Sequence, residues 1–294
     1  MSITEVASDS PEIALTTEGL RKEYGKVVAL DGIDLTVQAG TIFGLVGPNG
    51  AGKTTLIKTL VGALQPTAGT VSVLGLDPLA NKWALRRQIG YMPQSLALYD
   101  DLSARANILF FTGAHPVADL PAKVSRILSF TELEDRADDR VDTFSGGMKK
   151  RISLACALVH EPQIIFLDEP TAAVDPHLRY RMWQLFRQLT SQGVTLIIST
   201  HLMDEALLCD RVVVLQRGLI IADDSPTNIL QTGRARLSVR FADRTEEQSI
   251  AATPEALADS LQTYGLLTEI EAVTFDRDSL EDVILEIIQT QGEA

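Results

Sequence analysis

The residues that most constrain the fold of this chain are 47–54, which read Gly-Pro-Asn-Gly-Ala-Gly-Lys-Thr. Two glycines with four residues between them, followed by Lys and Thr, form the pattern of a phosphate-binding loop. Residues 41–46 are an apolar run typical of a buried parallel strand, and residues 54–61 have helical spacing. Because strand, glycine-rich loop and helix follow in the order that such a loop requires, we predict an α/β core built around it.

Each residue type in this loop suits contact with phosphate. Glycines let backbone N–H groups turn onto phosphate oxygens without a Cβ in the way. The helix that follows directs its positive end at the same anion. Lys53 is predicted to reach the β- and γ-phosphates, and the Thr54 hydroxyl is predicted to ligate Mg²⁺.

Composition and charge limit the classes of partner. The chain has 294 residues, 45% of them apolar, and no apolar run approaches the roughly 20 residues that span a bilayer. The first residues are acidic and polar, so we expect no signal peptide and a flexible tail over residues 1–11. The net charge of −13 argues against nucleic acid as a partner. Cys156 and Cys209 lie in apolar helical contexts and are expected to be buried free thiols, as in a reducing cytosol.

Strand and helix patterns divide the rest of the chain. Residues 12–37 alternate as strands of an antiparallel layer that precedes the phosphate loop. From about residue 95 to 160 the pattern is helical and interrupts the strand–helix alternation, which predicts an inserted helical subdomain. The core is predicted to end near residue 232. Residues 233–294 read strand, helix, strand, helix and predict a small C-terminal α/β accessory domain.

Three polar sites follow predicted strands. Asp168 and Glu169 end an apolar strand, where Asp168 is placed to ligate Mg²⁺ and Glu169 to accept a proton from an attacking water. Gln94 ends a short strand and can ligate a metal or orient water, although in isolation a solvated loop glutamine is the simpler interpretation. His201 ends another apolar strand, at the edge where ligands gather in an open α/β sheet, and a structural role is equally consistent with it.

A second anion site is predicted at Ser145, Gly146 and Gly147, which offer a capping hydroxyl, bare N–H groups and a helix N-terminus. An ordinary helix cap is the alternative. Two phosphate-type sites far apart in one chain raise the question of whether two chains share one nucleotide. Asp175 is predicted to cap the next helix, and Tyr24, which precedes a glycine turn, is either a core aromatic or an exposed one.

Taken in order, these residues resemble the nucleotide-binding subunit of ATP-binding-cassette (ABC) transporters over about residues 13–231. The resemblance implies a P-loop ATPase that binds ATP and Mg²⁺, with the cassette at residues 12–232. The residues that it implies for catalysis are Glu169, His201 and Gln94. Those implied for nucleotide binding are Tyr24 (against adenine), Gly47, Pro48, Asn49, Gly50, Ala51, Gly52, Lys53, Thr54, Thr55, Ser145, Gly146, Gly147 and Asp175. Those implied for the metal are Thr54, Gln94 and Asp168.

The family has a signature sequence, which corresponds to residues 144–148 of this chain. Here it departs from the usual pattern, with Phe144 in place of Leu and Met148 in place of Gln. In this form it is similar to the ABC-2 exporter subfamily of drug and polysaccharide exporters, as are residues 199–211 and, more weakly, 278–286. The resemblance implies that two cassettes, expected to be identical, join head to tail around ATP. It also implies a transmembrane permease that holds the chain at the inner face of the cell membrane and contacts the Gln94 loop and residues 99–102.

Three other functions are weighed against this one. The main alternative is a soluble ABC ATPase without a membrane partner, although such translation factors usually carry two cassettes in one chain. An importer ATPase is disfavoured by Met148 in the signature. A catalytically inactive cassette that serves as a binding module is disfavoured by the intact Lys53, Asp168, Glu169 and His201.

Overall fold

A computed structural model of the chain describes residues 13–113, 118–264 and 270–292. The flexible tail expected at residues 1–11 lies outside this range. Within it, the strands are β1 (Ile13–Tyr24), β2 (Val27–Gln38), β3 (Ile42–Val46), β4 (Ala68–Val73), β5 (Ile89–Met92), β6 (Ile164–Asp168), β7 (Thr195–Thr200), β8 (Arg211–Gln216), β9 (Leu219–Asp224), β10 (Arg234–Phe241), β11 (Thr245–Ala251) and β12 (Ile270–Arg277). The α-helices are α1 (Lys53–Leu60), α2 (Lys82–Arg86), α3 (Ala104–Thr112), α4 (Leu120–Phe130), α5 (Gly146–Leu158), α6 (Pro176–Ser191), α7 (Met203–Ala206), α8 (Pro226–Gln231), α9 (Pro254–Tyr264) and α10 (Leu280–Gly292).

The central sheet has the strand order β5-β6-β7-β3-β8-β9 in the described part of the chain. Adjacent strands in this sheet are parallel, except for β8 and β9, which form an antiparallel hairpin. Every residue of β3, β6 and β7 is buried, which explains why these strands are apolar runs rather than alternating ones. The carboxyl ends of β3, β6 and β7 therefore meet at one edge of the sheet, where the phosphate loop begins.

The antiparallel layer consists of β2, β1 and β4 in that order. It packs on α1 and the central sheet through a core that includes Leu20, Leu30, Phe43, Leu56 and Phe166. The tip of the layer approaches the phosphate loop, since a Cβ built on Gly52 would lie 2.6 Å from the carbonyl oxygen of Ala29. This layer thus fixes one wall of the loop.

The helical stretch predicted near residues 95–160 contains α3, α4 and α5, with 3-10 helices at Glu134–Arg136 and Val141–Thr143. Its apolar side chains share one core with the face of the central sheet that is opposite the antiparallel layer. The helices therefore pack directly on the sheet. Ser103 caps α3, its hydroxyl accepting from the amide of Ala106.

The C-terminal residues form a three-stranded sheet, β11-β10-β12, with α9 packed on it around Leu237, Val239 and Phe241. The sequence patterns did not indicate β11, because its segment is mostly polar, yet seven of its residues pair with β10. The last helix, α10, leaves this sheet and packs on α7, α8 and β9. The predicted fold class, a P-loop α/β core with an antiparallel layer, a helical insertion and an α/β appendage, is confirmed.

Both cysteines are free, with Cys209 buried and Cys156 half-buried. Burial raises the pKa of each thiol to about 12. A thiol that stays protonated at neutral pH is a poor nucleophile. The expectation of a buried free thiol is confirmed for Cys209, whereas Cys156 is free but half-buried.

Candidate functional site

The phosphate loop joins β3 to α1 in a conformation that requires glycine. Gly47 and Gly52 have φ angles of 151° and 114°, a region that disfavours residues with a Cβ. A Cβ on Gly47 would also lie 2.2 Å from the carbonyl oxygen of Leu215. The helix α1 begins at Lys53 without a side-chain cap, so its N-terminal amides face the loop. This is the backbone arrangement that receives a phosphate.

Lys53 lies inside the loop and is 5% exposed. Its ammonium donates to the carbonyl oxygens of Gly47 at 2.6 Å and Pro48 at 3.1 Å. Burial lowers the pKa of Lys53, while the nearby carboxylates of Glu169 and Asp168 oppose this shift. A cation is thus held at the centre of the loop by carbonyl groups of the loop itself.

Asp168 ends β6 directly beside Thr54. Its Oδ1 accepts hydrogen bonds from Ser199 Oγ at 2.6 Å and from Thr54 Oγ1 at 3.2 Å. Its Oδ2 is buried and has no hydrogen-bond partner among the described residues. A buried carboxylate oxygen without a donor, next to a hydroxyl, fits a small hard cation such as Mg²⁺, which also keeps water and phosphate oxygens as ligands.

The three residues implied for catalysis meet at the carboxylate of Glu169. Gln94 Nε2 donates to Glu169 Oε2 at 3.1 Å, and His201 Nδ1 lies 3.4 Å from Glu169 Oε1. The Glu169 side chain is only 10% exposed, whereas His201 is 41% exposed and faces outward. Gln94 is exposed too, but its contact with Glu169 sets it apart from an ordinary solvated loop glutamine.

One residue of this cluster carried no prediction from the sequence. Ser199 is fully buried within β7, where its hydroxyl donates to Asp168 and accepts from the backbone amide of Glu169 at 3.0 Å. It therefore holds both acidic residues at once. The available signal was a polar residue inside an otherwise apolar strand, two positions before His201.

Ser145, Gly146 and Gly147 lie at the N-terminus of α5, and the Ser145 hydroxyl caps the helix by accepting from the amide of Met148 at 3.3 Å. They line a cavity of about 480 Å³ together with Asp175, which caps α6 by accepting from the amide of Leu178 at 3.0 Å. The lining of this cavity, as far as the structure describes it, includes no residue of the phosphate loop. One chain therefore presents the two phosphate-type sites separately.

Tyr24 is 49% exposed at the end of β1, so the core alternative is wrong. The Lys22 ammonium lies 5.1 Å from the centroid of its ring. Tyr24 pairs with Val27. Two residues further on, the carbonyl of Ala29 leaves no room for a Cβ at Gly52 of the phosphate loop. The ring is thus an accessible apolar surface on the strand pair that borders the loop.

Comparison with known proteins identifies relatives for this arrangement. The family model described as "ABC transporter" matches residues 30–172. The Nod factor export ATP-binding protein I of Burkholderia orbicola (strain AU 1054) is 37% identical over 260 residues, which cover 87% of this chain and 82% of the relative. The "Probable multidrug ABC transporter ATP-binding protein YbhF" of Escherichia coli (strain K12) is 40% identical over 220 residues, which cover 74% of this chain and 38% of that protein.

A solved structure is also similar. It is described as the dimeric, post-hydrolysis state of an ATP-binding cassette bound to ADP and Pi, and it superposes with a TM-score of 0.66 at 26% identity. The match covers 72% of this chain and 98% of the other.

Proposed function

Since this chain belongs to the ATP-binding subunits of ABC transporters, we propose that it powers an exporter of the ABC-2 type. It binds and hydrolyses ATP. The relatives are named for the export of Nod factor and for multidrug transport, which supports export as the process served. The observation that carries ATP hydrolysis, the step by which the chain would power transport, is the meeting of Gln94 and His201 at the Glu169 carboxylate, beside Asp168.

The proposed nucleotide site uses the loop residues 47–55. Their amides and Lys53 would hold the phosphates, and the half-exposed ring of Tyr24 would stack on adenine. Thr54, Asp168 and Gln94 would hold Mg²⁺, which supplies charge neutralisation for the phosphate oxygens. The buried Oδ2 of Asp168, which lacks a hydrogen-bond partner in the described part of the chain, supports this assignment.

Glu169 is the proposed general base. Its carboxylate would accept a proton from the water that attacks the γ-phosphate. Gln94 and His201 flank the two carboxylate oxygens and would orient this group and the water. Because Ser199 fixes the backbone amide of Glu169, the base stands on rigid structure at the end of β6.

Two chains are proposed to share each nucleotide. The signature residues 145–147 and Asp175 line a cavity away from the phosphate loop of the same chain, so a second chain would present them to the γ-phosphate. The dimeric form of the similar solved cassette supports this arrangement. Hydrolysis removes the shared phosphate, and the two chains would then separate.

A transmembrane permease is the proposed partner, at the cytoplasmic face of the membrane. No helix within the described residues is long and apolar enough to cross a membrane itself. An aromatic patch next to the Gln94 loop supports docking there: Tyr99 and Phe110 are 44% and 54% exposed, and their ring centroids lie 4.6 Å apart. The neighbouring groove, of about 360 Å³, carries Trp83, which is 71% exposed.

The proposed division of the chain follows the expected one. Residues 12–232 would form the ATPase cassette, with its helical subdomain at about 95–160, and residues 233–294 the accessory domain. The separate small core around Leu237, Val239 and Phe241 supports a distinct C-terminal unit.

The test captures partners of the tagged Glu169→Gln protein, with ATP, from detergent-solubilised membranes of the native host. Loss of the base is expected to abolish turnover while ATP binding persists, so the protein accumulates as a dimer. A membrane protein with several spans is expected in near-equal amount. In the same background, Trp83→Ala is expected to abolish recovery of the membrane protein. Tyr180→Ala is the matched control, because it also removes an exposed aromatic ring, but on α6. Recovery of soluble partners alone would favour the soluble ABC ATPase instead.

A further inference from the structure

Lys150 on α5 reaches out of the helical subdomain to the loop that follows β6. Its ammonium donates to the backbone carbonyl of Glu169 at 3.2 Å and also to that of Ala172. The cations on either side contact other targets: Lys149 pairs with Asp100, and Arg151 donates to the carbonyl oxygens of Thr131 and Glu132. Lys150 is therefore the member of this run that is joined to the loop carrying Glu169.

The loop that Lys150 holds has an unfavourable backbone. Glu169 and Ala173 have φ angles of 52° and 57°, the left-handed region that residues with a Cβ rarely adopt. Such conformations persist where the surroundings hold them in place. The carbonyl of Glu169 is held by Lys150, and its amide is held by Ser199. The direction of the carboxylate follows from this backbone.

The environment of Lys150 favours a fixed position for its charge. Burial lowers the pKa of Lys150, and the carboxylates of Glu169 and Glu205 oppose this shift. Glu205 is 1% exposed, so its interaction with Lys150 is weakly screened by water. Two carbonyl acceptors thus hold the ammonium group in place, and the two carboxylates favour its charge.

We propose that Lys150 is a positioning residue for Glu169. It ties the loop after β6, here called the catalytic loop, to the signature helix α5 of the same chain. This inference rests on the proposed function, in which Glu169 is the general base. The N-terminus of α5 carries Ser145 to Gly147, which would bind the nucleotide held by the partner. A shift of α5 on that binding would move Lys150 and with it Glu169. Occupancy of one nucleotide site would in this way set the position of the base in the other.

The test compares Lys150→Met and Lys150→Arg in the full chain. For Lys150→Met we expect kcat for ATP hydrolysis to fall about ten- to a hundredfold, since a displacement of about 1 Å costs ~10²-fold in rate. KM for ATP should stay within about twofold, because the lysine does not contact the nucleotide. Lys150→Arg keeps the charge and the donors, and should recover kcat to within about threefold of the wild-type value.

Lys123→Met is the matched control. It makes the same chemical change in the same helical subdomain. Lys123 pairs with Glu161 at 2.6 Å, and Glu161 precedes β6, at the opposite end of this strand from Glu169. Its kcat should stay within about twofold of wild type, as for a surface ion pair. Equal effects of the two methionine substitutions on kcat would show that Lys150 does not position Glu169, and that result would overturn the proposal.

A second readout is the dimer, which should accumulate when ATP binds normally but is hydrolysed slowly. With ATP, Lys150→Met should elute as a dimer in size-exclusion chromatography, as is expected of Glu169→Gln, while Lys123→Met should behave like wild type. If Lys150→Met lowers the melting temperature by more than about 5 °C, Lys150→Gln, whose amide keeps two N–H donors without the charge, replaces it. A kcat of that variant within about twofold of wild type would contradict the role of Lys150.

The two proposals fail in different ways. If wild-type protein shows no ATP hydrolysis and Glu169→Gln forms no ATP-dependent dimer, the proposed function fails. If wild type hydrolyses ATP and Glu169→Gln traps the dimer, but Lys150→Met matches wild type in both assays, only the role of Lys150 fails.

Discussion

At the scale of single residues, the surroundings of Asp168 prepare it for the cation that is proposed to bind there. One of its carboxylate oxygens is held by Ser199 and Thr54, and the other is buried without a partner among the described residues. An unsatisfied buried oxygen is unfavourable, and a cation that binds there removes this penalty. Lys53 is prepared in a similar way, since loop carbonyls hold its ammonium where the phosphates would bind.

Lys53→Ala is predicted to weaken ATP binding. A charge-assisted hydrogen bond to phosphate is worth about 1.5–3 kcal/mol, which corresponds to a Kd for ATP about 10- to 150-fold higher. The Kd is measured by titration with a fluorescent ATP analogue and competition with ATP.

The control for this experiment is Lys58→Ala, on the same helix α1. Lys58 is exposed near the end of the helix, so its removal should leave the Kd for ATP unchanged. Equal affinity of wild type and Lys53→Ala would rule out the proposed contact between Lys53 and the phosphates.

At the scale of elements, α10 joins the C-terminal unit to the cassette. Leu280, Val283 and Ile284 of α10 are buried in the core that also holds the helical subdomain and the central sheet. The close fit extends to the end of α8, since a Cβ on Gly233 would lie 2.4 Å from Val283 Cγ2. The strands β10 to β12 have their own core, whereas α10 belongs by its packing to the cassette.

Ile284→Ala is predicted to lower the free energy of unfolding by about 2–4 kcal/mol, because it removes buried methyl groups and leaves a cavity. Leu285→Ala is the matched control: the neighbouring side chain on α10 is 48% exposed, and its loss should cost about 0.5 kcal/mol or less. Urea denaturation followed by circular dichroism compares the two. Similar midpoints for both variants would show that α10 does not stabilise the cassette.

At the scale of the whole molecule, the separation of the two phosphate-type sites is the decisive feature. The phosphate loop lies at the end of β3, whereas Ser145 to Gly147 share a cavity with Asp175. A chain that cannot close its own site needs a second copy, and head-to-tail pairing of two copies completes two equivalent sites.

This arrangement predicts complementation between two inactive variants. Lys53→Ala disables the phosphate loop, and Gly146→Asp places a negative charge at the signature, where a new Cβ has no neighbour within 4 Å and so should not disturb the fold. Each variant alone should be inactive. An equal mixture should recover about a quarter of wild-type ATPase activity, because about half of the dimers are mixed and each mixed dimer has one intact site. A mixture as inactive as its components would mean that both motifs act within one chain.

Much of this site could be predicted because its motifs are local. The loop residues 47–54, the acidic pair that ends β6 and the caps Ser145 and Asp175 act through the backbone of their own turn or strand end, so their spacing in the sequence is enough to identify them. Ser199 and Lys150 were not found in this way. Their partners lie 30 and 19 residues away along the chain, and nothing in the local pattern indicates such a contact.

The sequence by itself determined the elements and the chemistry of this protein. Apolar runs predict the buried parallel strands, glycines predict the loop, and acids at strand ends predict the place proposed for the metal and the base. The tertiary structure alone decided which groups meet: Gln94 and His201 at Glu169, Lys150 on the catalytic loop, polar β11 paired with β10, and α10 in the core of the cassette. The physical reason is that these contacts join residues distant in sequence, and their geometry depends on how the elements pack rather than on the periodicity of any one segment.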